Sequence, residues 1–142
     1  MPSSASNSTV TASRRIVVGL SGGVDSAVAA ALLLEQGWQV IGATLRLQPC
    51  QEDTAERRSC CGLDGIAEAR AVAGQLGIPH YVVDAQESFS RTVLEPCWND
   101  YAVARTPNPC VLCNRQIKFG LLLDVARSLG ADRVATGHYA QL

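Results

Sequence analysis

A chain of 142 residues is about one domain of sequence, long enough to bury a core of its own. Its 47% hydrophobic and 18% charged residues give a globular composition, and no apolar run approaches the roughly 18 residues that a membrane span needs. With a formal net charge of −1 there is no bulk electrostatic case for nucleic acid, so any RNA contact has to be local.

Residues 1–14 begin Ser/Thr-rich and acid-free and read as a disordered tail, with an organellar transit peptide as the alternative. Residues 15–142 read as one domain. The β-branched run at 16–20 predicts a buried strand. Residues 25–36 carry Val28, Leu32 and Leu33 at helical spacing and stop at Gly37. A second strand is expected at 40–47, followed at 48–59 by a polar, aperiodic loop of the length that compact domains reserve for mobile or functional segments. Asp64 is expected to cap a helix to Leu76, with Ile66, Ala69, Val72 and Ala73 inward and Gly77 ending it. Next come a strand at 81–83 and a helix at 87–104 interrupted by Pro96. From Ile117, Leu121, Val125 and Leu129 recur every fourth residue, predicting an amphipathic helix closed by Gly130. A final strand is expected at 133–136. Strands alternating with helices predict an α/β fold, a parallel sheet covered by helices on both faces. Ligands of such sheets gather at the carboxyl ends of the strands.

The first strand runs straight into Ser21-Gly22-Gly23-Val24-Asp25-Ser26 and then a helix. Two glycines let the backbone approach an anion, the N–H groups of the helix start can hold it, and Ser21 and Ser26 add hydroxyls. The Gly-Lys-Ser/Thr ending of a Walker A loop is missing, as is the Gly-x-Gly-x-x-Gly dinucleotide fingerprint. The loop resembles instead the Ser-Gly-Gly-x-Asp-Ser signature of the PP-loop ATP pyrophosphatases, which implies cleavage of ATP between its α and β phosphates.

Six cysteines stand at Cys50, Cys60, Cys61, Cys97, Cys110 and Cys113, behind no apolar secretory signal. Clustered thiols in that setting point to metal or redox chemistry rather than a disulfide framework. The segment from Arg105 to Asn114 contains Pro107 and Pro109, which are expected to stiffen a loop and forbid a helix there. Cys113 is expected just before a helix, where the N-terminal dipole favours a thiolate. No acidic residue occurs between Tyr101 and Leu123, whereas Arg105, Arg115 and Lys118 are basic. That local positive surface suits a phosphate backbone, or is a solvated basic helix face.

Four motifs occur here in one order: Ser21 to Ser26, the Cys60-Cys61 pair, Thr106-Pro107-Asn108-Pro109-x-x-x-Cys113-Asn114, and Ala135-Thr136-Gly137-His138-Tyr139. In this the chain resembles the tRNA-specific 2-thiouridylase family from about Arg15 to its end. The resemblance implies a Rossmann-like, adenine nucleotide alpha hydrolase-like fold and a PP-loop catalytic domain over residues 15–142. It implies adenylation of the C2 oxygen of the wobble uridine in tRNA, followed by displacement of AMP by sulfur carried as a cysteine persulfide. By position, Gly19, Leu20, Ser21, Gly22, Gly23, Val24, Asp25 and Ser26 would hold ATP, with Mg2+, and Leu45 and Gly137 would complete the pocket. Asn108, Pro109 and Cys110 would meet the target base, and Cys113 would be the catalytic cysteine. Implied partners are tRNA and a sulfur donor such as a cysteine desulfurase or sulfur relay protein, with no membrane and a cytoplasmic location.

Cys110 stands where many members carry Asp, creating Cys110-x-x-Cys113. Some tRNA-thiolating enzymes hold a [4Fe–4S] cluster by three cysteines, so Cys110 and Cys113 become candidate iron ligands that need a third, from Cys60, Cys61 or a residue beyond Leu142. A redox dithiol or a bland substitution stays open. The family's length implies further sequence beyond Leu142. Rival readings are another PP-loop ligase, or a nucleotide- or metal-binding fragment without turnover. Of the remaining residues, His138 is expected in the pocket. His80, Cys50, Cys97 and the Cys60-Cys61 pair read as structural or inert, and Trp38 and Trp98 as packing.

Overall fold

The computed structural model describes residues 14–47 and 63–138. The expected loop at 48–59, nearly all of the tail, Cys50, Cys60, Cys61 and Tyr139 lie outside the described residues. Four strands, β1 (Arg15–Gly19), β2 (Gln39–Arg46), β3 (His80–Asp84) and β4 (Arg133–Thr136), form one sheet in the order β3-β2-β1-β4. All three pairings are parallel. The central β1 is buried on both sides, which explains its unbroken apolar run.

Helices α1 (Val24–Glu35) and α2 (Leu63–Leu76) cover one face, where Ile16, Val18 and Leu20 pack with Ala30, Ala69 and Ala73. On the other face Val17 and Ala43 pack with Leu122 and Ala126 of α6 (Phe119–Ser128). Of the three apolar residues at helical spacing in α1, only Leu33 packs against the core. Val28 and Leu32 are 49% and 50% exposed, and the inward row runs through Ser26 and Ala30 to Leu33 and Leu34. The cause is the buried Ser26 hydroxyl, which bonds back to the preceding loop and so sets the rotation of the helix. Asp64 lies in the first turn of α2, which begins at Leu63, and so is not its N-cap.

Pro96 does not interrupt its helix. Helix α3 (Gln86–Phe89) passes through a π-helical turn, Ser90–Leu94, into α4 (Glu95–Ala102). Proline lacks an N–H and crowds the carbonyl four residues back, and a wider turn relieves both problems without a break. The prolines near the cysteines are likewise compatible with helix. Helix α5 (Pro109–Leu112) starts with Pro109 at its first position, where the missing N–H is not needed, and Asn108 Oδ1 caps it by accepting from the Val111 N–H at 3.3 Å. A second π-helical turn, Cys113–Lys118, carries the chain into α6. Helical structure therefore begins at Pro109, not at Ile117. Its inward face is Ile117, Leu122 and Ala126, with Leu121, Val125 and Leu129 only partly buried at its margin.

Four helix ends close on the same reverse bond. Trp38, Ile78, Ala131 and Arg105 each donate their N–H to a carbonyl five residues back, at 3.1, 3.0, 2.8 and 2.8 Å. The residue before each donor has positive φ: Gly37, Gly77 and Gly130 in three cases, but Ala104, at φ 58°, after α4. A Cβ in the left-handed region costs about 1–2 kcal/mol, and glycine recovers this less roughly 0.5–1 kcal/mol of unfolded-chain entropy. Ala104→Gly is therefore expected to stabilise the protein by about 0.5–1 kcal/mol. Urea unfolding checks this, and an unchanged or lower midpoint would contradict it.

Candidate functional site

The segment between β1 and α1 is braced by its own hydroxyls. Ser26 Oγ donates to the Gly23 carbonyl at 3.2 Å and accepts from the Ser21 N–H at 3.2 Å. Ser21 Oγ lies 3.3 Å from Ser26 Oγ and accepts from the Gly23 N–H at 3.3 Å. These bonds use Ser26 as an internal strut under the first turn of α1, the end of the helix at which backbone N–H groups gather. Gly23 caps that turn with no side-chain bond of its own. A backbone start of this kind receives anions.

Opposite that turn comes the end of β4. A Cβ on Gly137 would stand 2.5 Å from the Ser26 nitrogen and 2.8 Å from the Asp25 carbonyl carbon, so only glycine lets the two segments meet. Beside this contact, at the carboxyl ends of β1, β2 and β4, lies a cleft of about 230 Å³. The loop between β1 and α1 lines it with Gly19, Leu20, Ser21, Gly23, Asp25 and Ser26, and its other walls include Ala43, Leu45, Leu47, Leu122 and Gly137. His138 lines the cleft as expected, with Nδ1 2.9 Å from Thr136 Oγ1 and its ring 5.5 Å from that of Phe119.

The structure thus gathers most of the expected nucleotide residues, with two exceptions. Gly22 turns towards α2, where a Cβ would meet the Gly65 carbonyl at 2.7 Å. Val24 points outward, 78% exposed. Sequence reasoning passed over Lys118 as a cleft residue, although it is the only lysine in the chain. Thr44, also in the wall, was passed over too. Its hydroxyl donates to the Leu20 carbonyl at 2.8 Å, so His80 Nε2, also 2.8 Å away, is the donor to Thr44 Oγ1. Burial, with the Arg70 charge adding to it, holds His80 below its ordinary value of 6.5 and favours this neutral ring.

The cysteine segment borders the cleft without lining it. Cys113 is 8% exposed and packs with Leu47, Ala85, Val93 and Ile117, while the partly buried Leu45 touches the same cluster. Leu45 and Leu47 are also cleft walls, so the thiol sits behind them. The turn that begins at Cys113 ends at Lys118, which lines the cleft. Cys113 is thus one turn inside the helical segment and buried, not at its mouth; the exposed thiol near the helix start is Cys110. Asn108 and Pro109 are exposed beside it. Among the described residues no group of three His, Cys, Asp or Glu side chains could hold a metal ion. No helix among them is long and apolar enough to cross a membrane.

Of the tryptophans, Trp38 packs against the first core cluster, flanked by Arg14 and Arg133 at 5.8 and 5.5 Å from its ring. Trp98 does not pack as expected and is 68% exposed. Cys97 is buried.

A tRNA-specific 2-thiouridylase MnmA of Geotalea uraniireducens is 53% identical over 132 residues, covering 90% of this chain and 35% of that protein. The tRNA-specific 2-thiouridylase MnmA of Beijerinckia indica is 53% identical over 125 residues, covering 88% of this chain and 29% of its own length. The chain thus spans about a third of the curated relatives it matches. Among solved structures, a predicted subunit of a tRNA methyltransferase from Methanocaldococcus jannaschii superposes with a TM-score of 0.55 at 18% identity, covering 88% of this chain and 53% of that one. A glutamine-dependent NAD+ synthetase from Acinetobacter baumannii gives 0.56 at 17%, covering 85% and 21%. These two share the fold: a Rossmann-like parallel sheet flanked by helices. The family model described as the tRNA methyl transferase HUP domain matches residues 14–142. With that match and relatives about half identical to it, the chain belongs to the tRNA methyl transferase HUP domain family.

Proposed function

We propose that the cleft binds ATP and that the domain, residues 15–142 after a short tail, serves the thiolation of a tRNA uridine at C2. One observation carries the ATP reading: a hydroxyl-braced loop and the start of α1 meet the end of β4 at the edge of a cleft that Lys118 also lines. The named 2-thiouridylases, about half identical over this region, support the substrate.

In this reading the uridine C2 oxygen attacks the α-phosphorus of ATP and pyrophosphate leaves. A poor leaving group has become AMP. A sulfur nucleophile then adds at C2, and AMP departs carrying the oxygen that was on the base. The first-turn N–H groups of α1 and the Ser21 hydroxyl hold phosphate, and Lys118 offsets charge gathering in the cleft. Asn108, Pro109 and Cys110 receive the base. The nucleophile at C2 is the outer sulfur of a cysteine persulfide, and the Cys113 thiolate, once its turn opens from the apolar cluster, attacks the inner sulfur of the resulting C2–S–S–cysteine linkage. The S–S bond breaks, 2-thiouridine leaves with the outer sulfur, and Cys113 is left in a disulfide with the carrier cysteine. The sulfur comes from a donor such as a cysteine desulfurase or relay protein.

Mg2+ fits this cleft. It needs only one or two carboxylates besides substrate phosphates, and Asp25 lines the wall. When bound, it supplies charge neutralisation at the leaving pyrophosphate. A [4Fe–4S] cluster does not fit the described residues. It requires at least three ligands, and the described residues gather no such set: Cys110 is exposed and Cys113 is packed among apolar side chains. Product analysis tests the reading: tRNA-dependent formation of AMP and pyrophosphate is expected, and ADP with phosphate would defeat it.

A further inference from the structure

The helix that leads into the cysteine segment carries an exposed aromatic pair. Trp98 and Tyr101 are 68% and 60% exposed. Three residues apart, they share one face of α4, with ring centroids 6.3 Å apart and planes tilted by 51°. Exposed Leu94 lies about one turn earlier, and exposed Val103 ends the helix. Packed tryptophans lose their surface to neighbours, and this one keeps most of it.

The chain just after the pair is basic. The left-handed turn at Ala104 brings the Arg105 N–H to 2.8 Å from the Asp100 carbonyl, so the next segment starts against the helix end that bears Tyr101. From Tyr101 to Leu123 no residue is acidic, and Arg105 and Arg115 are exposed. The acids of this helix, Glu87, Glu95 and Asp100, all precede Tyr101. Exposed aromatic faces at the head of a cationic, acid-free segment are the combination that takes unpaired nucleotides, with phosphates on guanidinium groups and bases on rings.

We propose that Trp98 and Tyr101 stack unpaired nucleotides of the tRNA next to the target uridine while Arg105 holds their phosphates. This rests on the thiolation reading and adds to it the surface that grips the RNA beside the base.

Steady-state thiolation by the complete gene product with unmodified tRNA tests the proposal. The Trp98→Ala/Tyr101→Ala double variant is expected to raise the KM for tRNA by about tenfold or more, with kcat and the KM for ATP unchanged, and Trp98→Phe to recover most of the loss. Without ATP, tRNA should quench a tryptophan fluorescence component that Trp98→Phe removes. An unchanged KM for tRNA in an active double variant overturns the proposal. So does a Trp98 already shielded from acrylamide in the RNA-free protein, since that assigns the face to a protein contact. A wild type that turns over no tRNA defeats the thiolation reading instead, and the quenching experiment still decides the stacking.

Discussion

Replacing Cys113 by serine in the complete gene product is expected to lower tRNA thiolation by at least about 10³-fold, because a hydroxyl cannot do the work of a thiolate at neutral pH. Serine is nearly isosteric at this buried position, so the cleft stays intact and ATP binding is expected to persist. The tRNA-dependent release of pyrophosphate should also persist, since adenylation precedes the sulfur step. Cys110→Asp, at the exposed neighbour, is expected to keep most of the activity. Mass spectrometry of digested tRNA for 2-thiouridine reads the outcome. A serine variant thiolating at the wild-type rate would remove Cys113 from the chemistry.

The second large effect is expected from Gly137→Ala. The new methyl would sit 2.5 Å from the Ser26 nitrogen and 2.9 Å from its Cα, both backbone atoms that no rotamer change can move. Relief requires parting the end of β4 from the start of α1, which deforms the anion-holding turn. A loss of ATP affinity of about tenfold or more is expected, with about 1–3 kcal/mol of stability, the usual cost of overpacking. Gly120→Ala is the control, since nothing lies within 4 Å of a Cβ there and the position is helical. Calorimetric ATP titration and urea unfolding report the two effects. Wild-type ATP affinity in Gly137→Ala would show that the cleft is not where ATP binds.

The sheet and the loop between β1 and α1 were legible because their signals are local. β-branched runs gave the strands to within a residue, and the glycine after each of three helices fixed its end. The cysteine segment was misread because proline is ambiguous: it forbids a helix interior but opens a helix at the first position, and Pro109 takes the second role. The π turns at 90–94 and 113–118 have no sequence period of their own, so Pro96 looked like a break. The helical spacing in α1 left its facing open, and a hydrogen bond from Ser26 to Gly23 ties its first turn to the preceding loop. Lys118 and Thr44 entered the cleft through tertiary packing that no spacing rule reports.

Adenylation of the base is tested most directly by the fate of one oxygen atom. Transfer RNA carrying ¹⁸O at C2 of the target uridine would be incubated with the complete gene product, ATP and a sulfur donor, and the AMP analysed by mass spectrometry. One ¹⁸O in the phosphate of each AMP is expected, with AMP, pyrophosphate and 2-thiouridine in equal amounts. Unlabelled AMP accompanying 2-thiouridine would contradict adenylation of the base and, with it, the mechanism proposed for this cleft.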